Sequence, residues 1–497
     1  MTTSPAPVAA ADRVTIRLYC GLLGDCFLLR FPRHDRAAPH ALLIDFGVLL
    51  GMAEGAARVP GIAADIHGVT NGALDTVIVT HRHWDHLCGF GKAPEFADNI
   101  DELWMSWVED PDDAEAQKLQ DVAAKSEAGL AKLAAALHAS PGARDDGAAL
   151  DALLEFNGGR EAVLAAGRAA ASGDVGLAAT SGAVFLAGGG ASTVGLMNAL
   201  RDRVAKEQRH YLKPGSVIAI PGTPVRVFVF GPPIDETLLH QQNPSADKHE
   251  VYKFAFADTA ALADTMTPTI DRLMAAPGVA AASAPVETLV CPFDIVHGKP
   301  IDQAGKWHSA AYDDPALAWR QIGDAWLGSA EALAIKFDSF VNNTSLVLAF
   351  ELEPGGDVML FAADAQVGNW LSWATIATWS ADIVTEFAGK VVETLLARTV
   401  FYKCGHHGSI NATARDTGLE LMTAHDELTA FIPVVETFAR TAKKWDMPHA
   451  PLLARLEAKC GGGVFRGDFV PAVAKTTGTV RVTPSPNQAP WFLDVAL

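Results

Sequence analysis

Runs of apolar residues, alternating or continuous, predict strands in the first eighty residues. Residues 14–19 alternate apolar and polar side chains, and residues 26–31 follow after a turn at Gly24 and Asp25. Residues 41–47 form a third such segment. The run at 76–80 is continuously apolar, which is typical of a strand buried on both faces. A β-rich core therefore begins near the N-terminus.

Further strand patterns are separated by two long stretches that differ from them in composition and in the spacing of apolar residues. Ala, Leu, Lys and Glu at helical spacing dominate after residue 101, and polar loops mixed with short helical pieces follow residue 235. The later strands are predicted at residues 225–230, 346–352, 358–361, 399–403, 478–482 and 491–495. We predict a disordered tail at residues 1–13 and one layered α/β domain at 14–497, with partly helical insertions at about 101–222 and 235–340.

Composition excludes disorder as the dominant state, because 49% of the 497 residues are hydrophobic. The net charge of −19, from 39 basic and 58 acidic residues, argues against extended nucleic-acid binding, since the chain as a whole repels a phosphate backbone. Any anionic partner is therefore expected to be small or locally bound. The oligomeric state is left open.

Six cysteines without a CxxC pair are too few to stabilise a chain of this length through disulfide bonds, and they predict a reducing compartment. The N-terminus lacks the basic and apolar regions of a signal peptide. Residues 175–200 carry no charge but contain six glycines, which argues against a membrane span. We expect a cytoplasmic protein that does not enter a membrane.

The most informative segment, HRHWDH, follows the strand at 76–80 directly. It places three imidazoles and one carboxylate within six residues. His81 and His83 alternate and can face one ion, while Asp85 and His86 can turn toward a second. A polar loop with scattered histidines is the alternative, but this pattern arises by chance on the order of once in a thousand such chains.

Two later strands end in residues that can complete such a centre. Asp364 follows the strand at 358–361, surrounded by alanines, and is the candidate bridging carboxylate. His406 and His407 follow the strand at 399–403. Because adjacent side chains point in different directions, we expect one of these two histidines to bind metal and the other to donate a proton or hydrogen bond.

Taken together, these motifs resemble the metallo-β-lactamase superfamily, and more closely its competence-protein branch (ComEC/Rec2-like proteins). The resemblance is collinear from about residue 14 to the C-terminus, interrupted by the two insertions. The matching segments besides HRHWDH are residues 21–28 (GLLGDCFL), 42–47 (LLIDFG), 342–348 (NNTSLVL), 403–409 (KCGHHGS) and 476–480 (TTGTV). The fold that this resemblance implies is a four-layer αββα sandwich with two large insertions.

The chain departs from the family pattern at three positions. The strand at 225–230 runs into Gly231 and two prolines, where the superfamily has a further metal-binding histidine. Met447 replaces the histidine of a Gly-His-Pro motif, with His449 two residues on as a candidate substitute. Ala363 replaces the usual glycine before Asp364. Histidines elsewhere in the gap before Asp364, among them His210, His240, His249 and His297, are further candidates for the absent ligand.

The expected function is a metallo-β-lactamase-fold hydrolase that uses a metal-activated hydroxide, with phosphodiester or phosphate-ester substrates favoured. Two divalent ions are expected, zinc first, with manganese or iron as alternatives. The expected metal ligands are His81, His83, Asp85, His86, Asp364, His406 and His407, and the expected catalytic residues are Asp85, His406 and His407.

Two alternatives to this function stay open. One is a hydrolase of lactone, thioester or amide carbonyls. The other is a metal-binding scaffold whose catalytic site has decayed, which the two missing histidines motivate.

Overall fold

The described residues of the computed structural model are 13–139, 150–151, 154–160, 162–163, 192–241, 338–424, 427–469, 471, 474–477, 480–485 and 491–497. Most of the predicted tail at 1–13 and most of the second predicted insertion at 235–340 therefore lie outside them. His249 and His297 lie outside them as well.

The described strands form two sheets. In chain order they are β1 Thr15–Tyr19, β2 Cys26–Phe31, β3 His40–Phe46, β4 Ala73–Val79, β5 Asn99–Ser106, β6 Arg209–Leu212, β7 Val217–Ala219, β8 Arg226–Gly231, β9 Val347–Glu351, β10 Val358–Phe361, β11 Thr399–Lys403, β12 Thr429–Ile432, β13 Val464–Arg466, β14 Lys475–Thr477, β15 Val480–Pro484 and β16 Phe492–Ala496. The nine-stranded sheet has the order β14-β15-β16-β1-β2-β3-β4-β5-β6, and the seven-stranded sheet has the order β13-β12-β11-β10-β9-β8-β7.

Both sheets combine antiparallel and parallel pairs. In the first, β3, β4, β5 and β6 are mutually parallel, and in the second β10, β11, β12 and β13 are parallel. Parallel strands present their carboxyl ends along one edge, and polar residues that follow them can meet there. The segments after β3, β4, β10 and β11 are the ones that carry the candidate metal ligands and their neighbours.

Helices connect the strands. In chain order the α-helices that lie wholly within the described residues are α1 Ala53–Ala56, α2 Val59–Thr70, α3 Trp84–Lys92, α4 Ala114–Ala139, α5 Thr193–Arg201, α6 Glu236–Leu239, α7 Val367–Ser372, α8 Ala381–Glu386, α9 Val391–Ala397, α10 Glu436–Thr441 and α11 Ala450–Cys460. Short 3-10 turns lie at Pro94–Phe96, Trp107–Glu109, Glu155–Asn157, Lys206–Gln208, Trp373–Thr375, His406–Gly408 and Leu419–Leu421. Among the described helices, none has the length and apolarity that crossing a bilayer requires.

One apolar core joins the two sheets. Phe27 of β2 lies 5.7 Å, between ring centroids, from Phe361 of β10, and Phe31 stacks on Phe350 of β9 at 5.9 Å. The same cluster includes Ile78 of β4 and residues of β1, β3, β5, β8, β11 and β12. Because these side chains alternate along their strands, the opposite faces of both sheets are left to pack against helices.

A second core covers those opposite faces. It contains Ile62 of α2 and Leu87 of α3 beside Leu43 of β3, and Trp370 of α7 and Leu395 of α9 together with strand residues of the second sheet. The molecule is thus a mixed α/β protein with two sheets that share one core and helices packed against their other faces. β4 and β11, the strands that precede the two histidine clusters, each lie inside their sheet with a paired strand on both sides.

The first predicted insertion is less separate from the core than its composition indicates. Residue 101 lies inside β5, which pairs with β4 along six registered positions. β6 extends the first sheet beside β5, and β7 extends the second beside β8. The range 101–222 therefore contributes to both sheets as well as providing α4 and α5.

Candidate metal centre

The HRHWDH segment is the junction between β4 and α3. β4 ends at Val79, His83 is the N-cap residue of α3, and Asp85 and His86 lie in the first turn of that helix. The side chains of His81, His83, Asp85 and His86 are all buried. A buried strand followed at once by a helix therefore fixes the backbone of all four candidate ligands.

Two glycines allow other chain segments to reach the carbonyl group of Asp85. A Cβ atom on Gly47 would lie 2.0 Å from this carbonyl oxygen, and one on Gly24 would lie 2.5 Å from it. The Asp25 amide donates to the same oxygen at 3.0 Å, and the Gly47 amide donates to the Asp25 carbonyl at 3.0 Å. These contacts explain why the turn after β1 and the end of β3 carry glycine.

Gly47→Ala is expected to destabilise the protein by about 3 kcal/mol, because the added methyl group meets backbone atoms that cannot rotate away. Denaturant unfolding of the metal-free protein measures this. Gly68→Ala is the matched control, since Gly68 lies within α2 and a Cβ there meets nothing within 4 Å. That control is expected to gain about 0.5–1 kcal/mol. Equal stability of Gly47→Ala and wild type would contradict the close approach.

Asp45, at the end of β3, orients His86. Its Oδ2 accepts the Nδ1–H of His86 at 2.8 Å, and the same oxygen accepts the Thr80 hydroxyl at 2.6 Å. The Asp45 Oδ1 accepts the Thr80 amide at 2.8 Å. A carboxylate that holds one ring nitrogen of a histidine leaves the other nitrogen free as a ligand, which is the usual arrangement around protein-bound metals.

His407 is held in the same way from the second sheet. Its Nδ1–H donates to the Pro433 carbonyl at 2.7 Å, and its Nε2 lies 3.1 Å from Asp85 Oδ2. Asp364 Oδ2 lies 3.3 Å from His86 Nε2 and 3.7 Å from His407 Nε2. Ligand atoms of Asp85, His86, Asp364 and His407 all lie within 4.8 Å of one another, and all four residues are buried. We call these four residues the Asp85–His407 group.

The loop after β10 positions Asp364. Its amide donates to the Ser345 hydroxyl at 3.2 Å, and its Oδ1 accepts the amide of His406 at 3.2 Å. Ala363, where the family pattern has glycine, takes a positive φ of 47°. Left-handed backbone is costly for a residue with a Cβ atom, and such strain is typical of functional loops.

Lys403 is the buried cation of the site. Its Nζ pairs with Asp25 Oδ2, lies 3.3 Å from Asp364 Oδ1, and donates to the Ala363 carbonyl at 2.8 Å. Burial alone would lower the pKa of Lys403, but the charges of Asp25 and Asp364 raise it. Lys403 is therefore charged and balances part of the negative charge in the cluster.

The histidines of the Asp85–His407 group face excess negative charge. Burial would lower the pKa of His86, but the carboxylates of Asp364, Asp45 and Asp85 raise it well above the ordinary value. The pKa of His407 is likewise raised by Asp364 and Asp85 against the effect of burial. The cluster therefore attracts positive charge to the place where these ligand atoms meet.

His81 and His83 form the other end of the cluster. His81 Nε2 lies 3.1 Å from His83 Nδ1, and the ring of His81 lies 4.1 Å from that of His86 between centroids. Burial lowers the pKa of His83 to about 3 and that of His81 well below its ordinary value. Both rings are therefore neutral, the protonation state in which imidazole binds metal.

The structure separates the two adjacent histidines after β11. His407 joins the Asp85–His407 group, whereas His406 Nδ1 lies 3.1 Å from Ser409 Oγ and 3.3 Å from Gln366 Nε2. Burial lowers the pKa of His406 to about 4, so its ring is neutral near pH 7. Both residues have positive φ angles, and this backbone turn directs their rings differently.

The candidate substitutes for the absent histidine have other contacts. His210 lies in β6, His240 stacks on Phe340 at 4.8 Å between centroids, and His449 Nδ1 lies 3.0 Å from Asp446 Oδ2. None of the three belongs to the groups of converging ligand atoms found among the described residues. Met447 packs against the apolar core.

Four charged residues at the site were not among the residues predicted from the sequence. Asp25, Asp45 and Lys403 lie inside motifs that carry the family resemblance, but no sequence signal assigns them a contact with His86 or Asp364. Asp338 lies near the end of the second predicted insertion, and its Oδ1 is 3.5 Å from His83 Nε2. Burial and the charges of Asp85 and Asp364 raise the pKa of Asp338 well above its usual range.

The donor set fits divalent cations. The buried atoms His86 Nε2, Asp85 Oδ1 and His83 Nε2 have no hydrogen-bond partner within the described residues. Buried polar atoms without partners are costly, and imidazole nitrogen with carboxylate oxygen is a donor combination that zinc, manganese and iron accept. A divalent cation among these carboxylates would also lower the raised pKa of Asp338.

Comparison of the chain with protein-family models, with curated proteins and with solved structures gives no match in any of the three.

Proposed function

We propose that the protein is a metal-dependent hydrolase of phosphodiesters or phosphate esters, and a member of the competence-protein branch of the metallo-β-lactamase superfamily. The two sheets that share one core, with helices on their other faces, support the four-layer αββα sandwich that the family resemblance implies. The motifs that carry the resemblance also surround the cluster, since Asp25, Asp45, Ser345 and Lys403 each contact or position a candidate ligand.

The observation that carries this proposal is the convergence of the Asp85–His407 group. Its members come from α3, from the loop after β10 and from the loop after β11, and are separated by up to 322 residues in the chain. The second ring nitrogens of His86 and His407 are already held by Asp45 and Pro433. Such prior orientation is expected of metal ligands.

The residues named would hold two divalent cations, one at the Asp85–His407 group and one beside His81 and His83. When bound, such ions lower the pKa of water and neutralise charge that develops on a phosphoryl group. Asp85 Oδ1 is buried without a hydrogen bond among the described residues, so it is available to accept a proton from an attacking water. Against the effect of burial, His86 and then Lys403 hold the pKa of Asp364 well below its usual range, and Lys403 Nζ lies 3.3 Å from Asp364 Oδ1.

His406 belongs to neither proposed metal position, so its imidazole is available to contact the substrate. Its contacts with Ser409 and Gln366 fix the ring, and because it is neutral near pH 7 it can donate a hydrogen bond to a leaving oxygen. A small or locally bound anionic substrate fits a chain with a net charge of −19, because only the proposed metal centre would attract a negatively charged group. We place the protein in the cytoplasm, as its cysteine content predicts.

Metal removal is the direct test of this function. Purified protein is expected to contain up to two equivalents of zinc, manganese or iron by elemental analysis and to hydrolyse bis-p-nitrophenyl phosphate. Chelation is expected to abolish turnover, and added metal to restore it. Ligand at 100 times its dissociation constant adds about 2.7 kcal/mol to stability, so chelation should also lower the melting temperature.

Assays with a lactone and with nitrocefin separate the alternatives. Turnover of either in place of the phosphodiester would replace the proposed substrate class with carbonyl compounds. Tight metal binding without turnover of any of the three would favour a scaffold. Absence of metal binding would refute the proposal.

A further inference from the structure

The third imidazole expected beside His81 and His83 has no counterpart at the end of β8. Gly231 ends this strand, and a Cβ there would lie 2.2 Å from Asn369 Oδ1. Asn369 is itself fixed, because its Nδ2 donates to the carbonyl groups of Asn343 and Ser345 at 3.0 and 2.9 Å. The end of β8 therefore has no room for an imidazole.

Asp338 approaches His83 from another part of the chain. Its Oδ1 lies 3.5 Å from His83 Nε2. Both atoms are buried, and neither has a hydrogen bond within the described residues. A buried ring nitrogen and a buried carboxylate oxygen are each costly without a hydrogen bond. Because these two atoms face each other, a hydrogen bond between them would remove both costs.

The position of Asp338 is set by Asn342, one helical turn later. Asn342 Nδ2 donates to Asp338 Oδ2 at 3.1 Å, and Asn342 is fully buried. Three residues further on, the Ser345 hydroxyl accepts the amide of Asp364 at 3.2 Å. One short segment, residues 342–345, therefore holds the carboxylate of Asp338 and the backbone of Asp364.

The hydrogen bonds around His81 and His83 define which nitrogens are free. The Thr80 hydroxyl donates its proton to Asp45 at 2.6 Å. Toward His81 Nδ1, which lies 3.2 Å away, this hydroxyl can therefore act only as an acceptor, and the proton of His81 is on Nδ1. His81 Nε2 then carries a lone pair. If Asp338 accepts the Nε2–H of His83, then His83 Nδ1 carries a lone pair too.

These two lone pairs face each other across 3.1 Å. They repel at this distance unless a cation lies close to both nitrogens. An imidazole pair of this kind, with the opposite nitrogens held by hydrogen bonds, is the donor arrangement of a metal position.

Resting on the proposed function, we propose that Asp338 is the positioning residue of a second metal position formed by His81 Nε2 and His83 Nδ1. Its carboxylate accepts the Nε2–H of His83 and so presents Nδ1 to the ion. It also adds negative charge on the side where no third imidazole is present. Since only two imidazoles converge here, this position binds its ion more weakly than the Asp85–His407 group does.

Asp338→Ala tests the proposal by metal binding alone. Metal-free protein is titrated with Zn²⁺ in competition with a chromophoric chelator. Wild type is expected to bind two equivalents in separate steps. In Asp338→Ala the weaker equivalent is expected to lose affinity by about 10–100-fold, with the tighter one unchanged. Asp338→Asn is expected to lose less, since an amide oxygen also accepts a hydrogen bond.

Asp65→Ala is the control for removing a mostly buried carboxylate elsewhere. Asp65 pairs with Arg17, and its side chain is 19% exposed against 14% for Asp338. Unchanged affinity for both ions in Asp338→Ala would overturn the inference and leave the proposed function standing. The inference would also be overturned if Asp338→Ala lost affinity for both ions equally, or if Asp338→Asn lost as much affinity as Asp338→Ala. A wild type that binds only one ion would overturn it as well. A wild type that binds no ion refutes both proposals.

Discussion

Asp364→Asn is expected to reduce hydrolysis by about 10³-fold or more, because transition-state charge stabilisation by a bound metal is worth several kcal/mol. Asp364 Oδ2 lies 3.3 Å from His86 Nε2 and 3.7 Å from His407 Nε2. An amide at this position keeps the shape of the side chain but removes the charge that attracts a divalent ion. The measurement is turnover of bis-p-nitrophenyl phosphate together with the number of bound metal equivalents.

The metal count distinguishes this explanation from general damage. We expect Asp364→Asn to lose at least one equivalent while its circular dichroism spectrum stays that of wild type. Asp65→Asn, on α2, is expected to keep both activity and metal. Full activity of Asp364→Asn would show that the Asp85–His407 group is not where hydrolysis takes place.

Lys403→Met is expected to lower the free energy of unfolding by about 3–5 kcal/mol, the usual effect of breaking a buried ion pair. Lys403 is completely buried and lies between the carboxylates of Asp25 and Asp364. Methionine fills much of the same volume but leaves both carboxylates without their cation. Denaturant unfolding in the presence of a chelator measures the effect without a contribution from bound metal.

The double variant Asp25→Asn with Lys403→Met provides the control. Removing the charge of Asp25 along with that of Lys403 leaves fewer uncompensated groups, so the double variant should be more stable than the sum of the single losses predicts. Strictly additive losses, or a Lys403→Met protein as stable as wild type, would show that Lys403 is not the charge partner of Asp25.

The sequence identified the clustered histidines and aspartates more readily than the residues that position them. His81, His83, Asp85 and His86 form a dense local pattern after an apolar strand, and this pattern can be recognised because the four residues are neighbours in the chain. Asp364 could be placed because small residues and a strand precede it. In each case the local sequence carries the information.

Asp45, Asp338 and Lys403 could not be assigned in this way. Each is a single charged residue whose role depends on which distant segment it meets, as Asp45 does with Thr80 and His86. Asp338 in particular follows a long stretch without clear periodicity. Burial of an isolated charge is a property of the tertiary structure, and periodicity does not report it.

The missed strands have a similar cause. β7 and β13 have three residues each, too few for an alternating pattern to emerge. β5 contains Asp101 and Glu102 and runs into a region rich in helix-forming residues, so composition favoured an insertion there. Its pairing with β4 is what decides its conformation.

Arg82 joins the HRHWDH segment to α4 of the first predicted insertion. It stands between His81 and His83 in the chain, and its guanidinium group pairs with Glu127 of α4 at 2.8 Å, with both side chains 8% exposed. Neither charge is tolerable alone in such a place. Among homologues, Arg82 and Glu127 are therefore expected to be inherited or lost as a pair, so that any relative lacking this helix should carry an uncharged residue between its first two histidines.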